Sequence, residues 1–223
     1  MAVHVTSLLL ILSTVYFVWP LNSLFLWHPF LMMLGLCGFA LQGIIIYNND
    51  SSLALHFPGR RKYKFHWVLH VLGLVTMFAG FGVIFKVKID NNKSHMTTWH
   101  SRLGCLFLLG VFSQVIFGFL RTTPFIRSVF KPYSSRLLHA CLGAIFFTLG
   151  CLTSGLGLCS DWFRQKALVD SIDDHGVRLL VFYVLLFFFC LSASVTLKQV
   201  YDKYLVTNTS EVLSKKNKND KKK

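Results

Sequence analysis

The sequence predicts an all-α membrane protein with six transmembrane helices, in which the middle four form a central bundle. The chain has 223 residues, of which 54% are hydrophobic, and its mean hydropathy of +0.55 is too high for a soluble globular domain. Its apolar runs are long enough to cross a bilayer core of about 30 Å as helices. The six predicted spans are Val3–Trp19, Leu24–Tyr47, Phe65–Phe85, Trp99–Leu120, Leu137–Leu158 and Leu179–Leu197. The connections are short, so residues 1–200 are predicted to form one domain.

The first and sixth spans are predicted to lie at the periphery of the bundle. The first span resembles a secretory signal, but it lacks a positively charged segment before it and a small-residue cleavage site, so we interpret it as a retained helix. Its only histidine is His4, and the span Leu179–Leu197 has no histidine or charged residue. Residues 201–223 form a lysine-rich tail that is predicted to be disordered and to face the lipid headgroups of the bilayer.

The net charge of +14 indicates a membrane orientation rather than a nucleic-acid partner. Of the 23 Lys and Arg residues, 16 lie in Asn48–Lys64, Arg121–Arg136 and Lys198–Lys223. With six spans these three segments share one side of the membrane with the N-terminus. Because loops rich in Lys and Arg remain in the cytosol, both termini are predicted to be cytosolic. The opposite side carries the glycosylation triplet that begins at Asn92.

Each of the four middle spans has a histidine close to its N-terminal end. These residues are His28, His66, His100 and His139. The interval between the first two matches the interval between the last two to within one position, so the spans form two copies of one helical hairpin. Consecutive spans run in opposite directions, which places His28 and His100 near the non-cytosolic face and the other two near the cytosolic face. The sequence therefore predicts one histidine pair at each side of the membrane.

Paired imidazoles inside a four-helix bundle are typical of haem binding. Two histidines on facing helices can occupy both axial positions of a haem iron, which leaves no open position and favours electron transfer. Zinc normally needs a third or fourth ligand, and the four spans contain no carboxylate. A single intramembrane histidine is more often structural, but four at matched depths favour a di-haem site. Glycines in these spans would make room for a flat ring, although small residues equally let membrane helices pack closely.

Two other interpretations stay open on this pattern alone. A histidine-lined, non-haem transporter of protons or metal ions would place carboxylates or broken helices at mid-membrane, and the spans contain neither Asp nor Glu. A structural subunit would keep the helices without the cofactor. Haem content distinguishes all three interpretations. The oligomeric state, a homodimer included, is left open by the sequence.

Short motifs around the four histidines resemble the cytochrome b561 family. They are SLFLWHP around His28, HWVLH from His66, the WH pair ending at His100, and LHACLG around His139, and the resemblance covers the chain apart from the lysine tail. It implies two haem b groups and electron transfer from cytosolic ascorbate to monodehydroascorbate or a ferric chelate on the other side. The resemblance therefore implies an ascorbate-dependent transmembrane reductase of an endomembrane, such as the endoplasmic reticulum or a vesicle.

The same resemblance implies that the four histidines are the axial ligands of the haem irons. His28 and His100 would hold the non-cytosolic haem, and His66 and His139 the cytosolic one. His70 lies one turn after His66 on the same helical face. We assign the ligand role to His66 because its depth matches that of His139, and because the resembled proteins have their ligand at the first position of this motif.

Five further residues are candidates for substrate binding on the cytosolic side. Arg60, Arg61 and Lys64 precede the third-span histidine and would attract anionic ascorbate, although as topology determinants they need no substrate. His70 would line the same pocket, or be a core histidine bonded to a carbonyl. Arg136 shares a helical face with the fifth-span histidine and would meet a haem propionate or ascorbate.

Overall fold

A computed structural model describes residues 2–48, 56–129 and 131–206. In this part of the chain six long helices follow one another, and we number them α1 to α6. They are α1 (Ala2–Val18), α2 (Leu24–Ile45), α3 (Gly59–Asp90), α4 (Trp99–Leu120), α5 (Pro132–Leu158) and α6 (His175–Val200). Within α2, a 3₁₀ turn at Leu24–Leu26 and a π-helical segment at Leu34–Ala40 interrupt the regular α-helix. Shorter helical segments are Pro124–Val129, Trp162–Ala167, Leu168–Ser171 and Tyr201–Val206.

Five of the described helices, α2 to α6, are long and apolar enough to cross a membrane. α1 has 17 apolar-rich residues, which at a rise of 1.5 Å per residue gives about 26 Å, the short end of the range for a span. The sixth crossing therefore stays a prediction. Large apolar side chains on the outer faces are strongly exposed, for example Val75 (62%), Leu109 (60%) and Phe187 (60%), as expected for surfaces that contact lipid.

Each long helix packs against the next one along the chain, and α6 returns to α1. α2 also meets α5, where Leu36 lies against Gly150. A buried polar network ties α1 to α2: the Ser7 hydroxyl donates to the Cys37 carbonyl (2.8 Å) and accepts from the Gln42 amide (3.0 Å). Polar side chains such as these form hydrogen bonds between helices inside membrane bundles. The contacts leave α2 to α5 as the frame in which the four histidines lie.

Glycines bring α4 and α5 into close contact at the middle of the bundle. The Phe146 ring lies over Gly110, and the Phe107 ring lies over Gly150. A Cβ atom added at these glycines would be 2.2 Å and 2.6 Å from the respective rings. The two helices therefore interlock through a large residue and a glycine on each side, which fixes their relative register.

α3 extends beyond its predicted apolar run, Phe65–Phe85, at both ends. The sequence placed the preceding basic cluster in a loop, and this was wrong: the helix starts directly after Pro58, so the cluster occupies its first turns. At the other end Lys86 and Asp90 form an ion pair (3.0 Å) one turn apart in the helix. Hydropathy marks only the apolar part of a span, whereas long polar side chains let the helix continue into the interface.

Side-chain caps define the start of two helices. The Thr98 hydroxyl accepts from the Ser101 N–H (3.2 Å) at the start of α4, and the Asp174 carboxylate accepts from the Val177 N–H (2.8 Å) at the start of α6. Each cap satisfies a backbone donor that has no partner within its helix. The Thr98 cap places His100 in the first turn of α4.

The predicted disordered tail begins too early. Tyr201–Val206 continues α6 as a π-helical turn of 6 residues. The predicted start of the tail at residue 201 is therefore too early by these residues. The reason is packing, because the Tyr204 ring contacts the Tyr133 ring (6.1 Å) at the start of α5. The predicted disorder of residues 207–223 lies outside the described part of the chain and stays a prediction.

We predict that Gly110→Ala destabilises the protein, because its Cβ would enter the Phe146 ring. Overpacking of this kind costs about 1–3 kcal/mol, which a lower unfolding midpoint of the detergent-solubilised protein would show. Gly82→Ala is the matched control, because a Cβ at Gly82 on α3 has no atom within 4 Å. Equal midpoints for the two variants would contradict the interlocked packing of α4 and α5.

Candidate functional site

The structure brings the four predicted histidines together in two pairs. His28 on α2 and His100 on α4 have ring centroids 6.2 Å apart, with ring planes at 89° to each other. His66 on α3 and His139 on α5 have ring centroids 6.1 Å apart, with ring planes at 74°. The pairing that the residue spacing predicted is therefore present in the structure.

The two pairs lie at opposite ends of the bundle. On α3, His66 lies nearly four helical turns from Gly80, whose carbonyl meets His28. On α5, the same interval separates His139 from Thr153 at the other pair. A rise of 1.5 Å per residue gives a separation of about 21 Å along both helices. We call the two regions the His28 end and the His66 end.

Backbone carbonyls hold three of the four rings through their Nδ1 atoms. The donor and acceptor residues are His28 and Gly80 (2.9 Å), His66 and Gly43 (2.8 Å), and His100 and Thr153 (2.9 Å). A carbonyl can only accept a hydrogen bond, so each Nδ1 carries the hydrogen and each Nε2 keeps its lone pair. This is the tautomer that binds a metal through Nε2 while Nδ1 fixes the ring.

His139 is the exception among the four. Its Nδ1 is buried and has no hydrogen-bond partner in the described residues. The ring packs against Gly118 on α4, where an added Cβ would be 3.0 Å from Cε1. His100 has a similar neighbour in Gly157, where an added Cβ would be 3.2 Å from Cε1. In the second hairpin, formed by α4 and α5, a glycine on the facing helix therefore makes room for each imidazole.

A cavity of about 430 Å³ lies at the His28 end. His28 and His100 line it together with apolar side chains from α1, α2 and α6. Lys88 and His95 supply its polar edge. This cavity can therefore accommodate a largely apolar group beside the imidazoles.

The His66 end carries aromatic and basic side chains. The Tyr47 ring is 5.4 Å from the His66 ring. The Lys203 Nζ lies over the Tyr47 ring (5.1 Å) and the Tyr204 ring (5.7 Å), as in cation–π contacts. Arg121 interacts electrostatically with both histidines of this pair. Two cations thus lie beside the histidines at this end.

Comparison with known proteins identifies the family. The family model for eukaryotic cytochrome b561 matches residues 27–164, more than half of the chain. The chain belongs to this family. It is 30% identical over 162 residues to transmembrane reductase CYB561D2 from Bos taurus, and the match covers 73% of each chain.

Plant relatives show the same similarity at lower identity. The chain is 26% identical to probable ascorbate-specific transmembrane electron transporter 1 from Oryza sativa subsp. japonica, over 80% of this chain and 74% of the relative. It is 28% identical to transmembrane ascorbate ferrireductase 1 from Arabidopsis thaliana, over 61% of this chain and 55% of the relative. The resemblance inferred from the histidine motifs is confirmed.

Cytochrome b561 proteins carry b-type haem, and both histidine pairs fit this group. Two metal–imidazole bonds of about 2 Å, each followed by about 1 Å to the ring centre, place two axial rings about 6 Å apart. The observed centroid separations of 6.2 Å and 6.1 Å agree with this value. The carbonyl-bound Nδ1 atoms, which leave Nε2 available, are a second and independent point of agreement.

Among the five predicted substrate-binding residues of this cytochrome b561, the structure places only His70 in contact with the histidine pair. Its ring is 4.3 Å from the His66 ring. The side chains of Arg60, Arg61 and Lys64 are exposed at the start of α3. Arg136 is also exposed, and its Nε donates to a backbone carbonyl one turn earlier in α5 (3.1 Å). These four cations lie around the His66 end without entering the bundle.

His70 is half-buried, and its Nε2 atom is buried inside the bundle. Its ring packs against Gly43, where an added Cβ would be 3.0 Å from Nε2. The Nε2 atom has no hydrogen-bond partner in the described residues. His70 therefore fills the space between α2 and α3 beside the His66 ring, and no carbonyl of the described residues satisfies its Nε2.

Sequence reasoning missed three features of this site. The identity of the carbonyl acceptors has no side-chain signal, because it depends on how helices cross. Lys203 lies in a segment predicted to be disordered, and no pattern marks it. Arg121 could have been found, since it directly follows α4 and therefore lies at the depth of the fifth-span histidine.

We predict that His70→Leu leaves the free energy of unfolding unchanged or raises it. An apolar side chain would remove a buried nitrogen that has no partner in the described chain, and replacing such a group can be neutral or stabilising. Ser7→Ala is the comparison, because this hydroxyl makes two buried hydrogen bonds, and leaving their partners unsatisfied costs about 1–3 kcal/mol. Thermal unfolding in detergent measures both; a larger loss for His70→Leu than for Ser7→Ala would contradict this description.

Proposed function

We propose that this protein is an ascorbate-dependent transmembrane reductase. It carries electrons from ascorbate on the cytosolic side, through two haem b groups, to monodehydroascorbate or a ferric chelate on the other side. The observation that carries the proposal is the presence of two matched histidine pairs, 6.2 Å and 6.1 Å between centroids, at opposite ends of the same four helices. The names of the relatives, a transmembrane reductase and an ascorbate ferrireductase among them, support it.

The chain's own residues prepare each end for a haem. His28 and His100 would hold one group, and His66 and His139 the other, through their Nε2 atoms. Bound there, haem b would supply one-electron redox chemistry. The carbonyl bonds keep the hydrogen on Nδ1 of three histidines and fix their ring planes. Apolar side chains of α1, α2 and α6 surround the pair at the His28 end.

The charge distribution supports a cytosolic position for the His66 end. Loops rich in Lys and Arg stay in the cytosol, and the exposed cluster at the start of α3 lies at this end together with the first turn of α1 and the segment Tyr201–Val206. Arg121 and Lys203 both interact electrostatically with His66. Their positive charge would attract the ascorbate anion and raise its local concentration. The membrane would be an endomembrane, as the family resemblance implies.

The acceptor would bind at the His28 end. Lys88 and His95 line the cavity together with His28 and His100. Lys88 offers a positive charge to an anion such as monodehydroascorbate or a ferric chelate with carboxylate groups. The alternative, a histidine-lined transporter, needs carboxylates or broken helices at mid-membrane, and α2 stays continuous through its π-helical segment. Within α2 to α6 the one carboxylate is that of Asp90, which lies at the end of α3.

Haem content of single and double variants tests the assignment of the pairs. We predict two haems per chain in the parent protein and one in His28→Leu, because His100 alone supplies only one of the two axial ligands. His28→Leu combined with His100→Leu would also retain one haem, whereas His28→Leu combined with His66→Leu would retain none. The measurement is the pyridine haemochrome assay on purified protein, together with absorption spectra before and after ascorbate.

The matched control is His175→Leu, which replaces an exposed histidine at the start of α6. This variant should keep both haems. Folded parent protein without haem, expressed with sufficient haem supply, would overturn the proposed function. One haem in the parent would assign only one of the two pairs.

Ascorbate dependence tests the cation at the His66 end. We predict that Lys203→Glu raises the ascorbate concentration for half-maximal reduction roughly three- to tenfold, because it replaces an attracting charge by a repelling one. High salt should shrink this difference. Stopped-flow reduction of the purified protein measures it. The control is Lys166→Glu, which changes an exposed lysine in the segment that borders the His28 cavity and should leave the ascorbate concentration for half-maximal reduction unchanged. Equal increases of this concentration in both variants would argue against a cationic ascorbate site at the His66 end.

A further inference from the structure

Among the buried polar atoms near the His66 end that lack hydrogen-bond partners in the described residues, two belong to α4 and α5. They are Nδ1 of His139 and Oε1 of Gln114. Gln114 is 9% exposed and lies on α4. An unpaired donor or acceptor inside an apolar bundle is costly, and most buried polar atoms are paired with protein or ordered water. Two such atoms of complementary type close together therefore need a common explanation.

The two atoms lie on facing helices, one turn apart. Gly118 contacts the His139 ring, and a Cβ at Gly118 would be 3.7 Å from Nδ1. One turn away, Gln114 contacts Gly143, where an added Cβ would be 3.8 Å from Oε1. A helical turn is about 5.4 Å. A single water molecule that makes a hydrogen bond on each side spans such a gap.

The first hairpin shows what the second one lacks. Gln42 precedes Gln114 by the same interval that separates His28 from His100. In the first hairpin the Gln42 amide turns towards α1, where it meets His4 (2.8 Å) and the Ser7 hydroxyl. There the carbonyl of the next residue, Gly43, anchors the histidine.

In the second hairpin no carbonyl of the described residues anchors His139, and the side chain of Gln114 faces α5 instead. His70 of α3 corresponds to Gly143 of α5, because both come four residues after the ligand histidine of their span. The missing side chain at Gly143 gives the Gln114 amide the room that His70 occupies in the first copy.

We propose that Gln114 is a positioning residue for His139, whose Nδ1–H it accepts through one buried water. This inference rests on the proposed function, in which His139 is an axial ligand of the haem at the His66 end. An acceptor on Nδ1 fixes the ring plane and raises the basicity of the ligating nitrogen. A more basic ligand favours the ferric over the ferrous state. Gln114 thereby replaces the carbonyl anchor that the other three histidines have.

A redox titration of the full-length protein tests the proposal. Gln114→Leu should keep both haems and shift one midpoint potential upwards, by up to a tenfold change in the ferric–ferrous equilibrium, about 59 mV for one electron. Gln114→Glu, with a stronger acceptor, should shift the same potential downwards. The shift is assigned to the His66 end by repeating the titration in the His100→Leu background, which retains only that haem. Gln42→Leu is the matched control and should leave both potentials unchanged.

The outcomes separate this inference from the proposed function. Parent potentials in both Gln114 variants would overturn the role of Gln114 while leaving the di-haem assignment intact. A parent protein without haem would overturn the proposed function, and the inference with it. If Gln114→Leu does not fold, Gln114→Glu decides alone, since a potential equal to that of the parent contradicts the proposal. A shift in Gln42→Leu as large as in Gln114→Leu would reduce Gln114 to a general packing role and also overturn it.

Discussion

The hydrogen bond from an imidazole Nδ1 to a backbone carbonyl of the neighbouring helix is the constraint on which the site depends. His28 of α2 donates to Gly80 of α3, and His66 of α3 donates back to Gly43 of α2. The two bonds lie at opposite ends of one helix pair, so they fix its register as well as both ring orientations. Gly80 lies inside α3, where a second lone pair of its carbonyl serves the histidine, and Gly43 lies in the last turn of α2, where carbonyls lack partners within the helix. Glycine suits such a position because no side chain covers the carbonyl. An apolar interior offers few other acceptors, and the same bond that stabilises the fold therefore also sets the tautomer needed for metal binding.

The two hairpins reach the same shape with exchanged residues. In the first, Gly35 of α2 packs against Met77 of α3. At the corresponding place in the second, Phe107 of α4 packs against Gly150 of α5. Phe107 follows Gly35, and Gly150 follows Met77, by the same number of residues that separates the equivalent histidines of the two hairpins. The large and the small partner have changed helices, but a glycine on one side still allows close approach. Close-packed interiors respond to the total volume at a contact rather than to which helix supplies it. The backbone repeat can therefore persist while the local side chains differ, and it keeps the two ends about 21 Å apart along both hairpins.

Much of this architecture could be predicted because membrane spans and intramembrane histidines leave strong signals. The apolar runs indicated the five long helices, and the matched depths of four histidines indicated both pairs. Helix ends could not be read in the same way: the basic cluster before His66 belongs to α3, since hydropathy registers only the lipid-facing part. The acceptors of the Nδ1 hydrogens were beyond reach as well, because any residue has a carbonyl. Lys203 was missed for a different reason. Its segment has the composition of a tail, and its position depends on packing of Tyr204 against α5, which local sequence does not encode.

The structure also bears on a question that charge alone leaves open, whether basic residues near the histidines set topology or bind a substrate. Arg60 and Arg61 are exposed at the start of α3, where a cation needs no ligand and can serve membrane orientation alone. Arg121 and Lys203 differ, since both act on the His66 ring electrostatically, and Lys203 also stacks over Tyr47. Screening by water and salt weakens an exposed charge with distance, whereas a charge at the protein edge of an apolar bundle keeps more of its effect. Proximity to the histidine pair therefore supports a division of roles, in which the cations at the start of α3 orient the chain, whereas Arg121 and Lys203 attract an anion. That division makes the His66 end unlike the His28 end, even though the two histidine pairs are nearly identical in geometry.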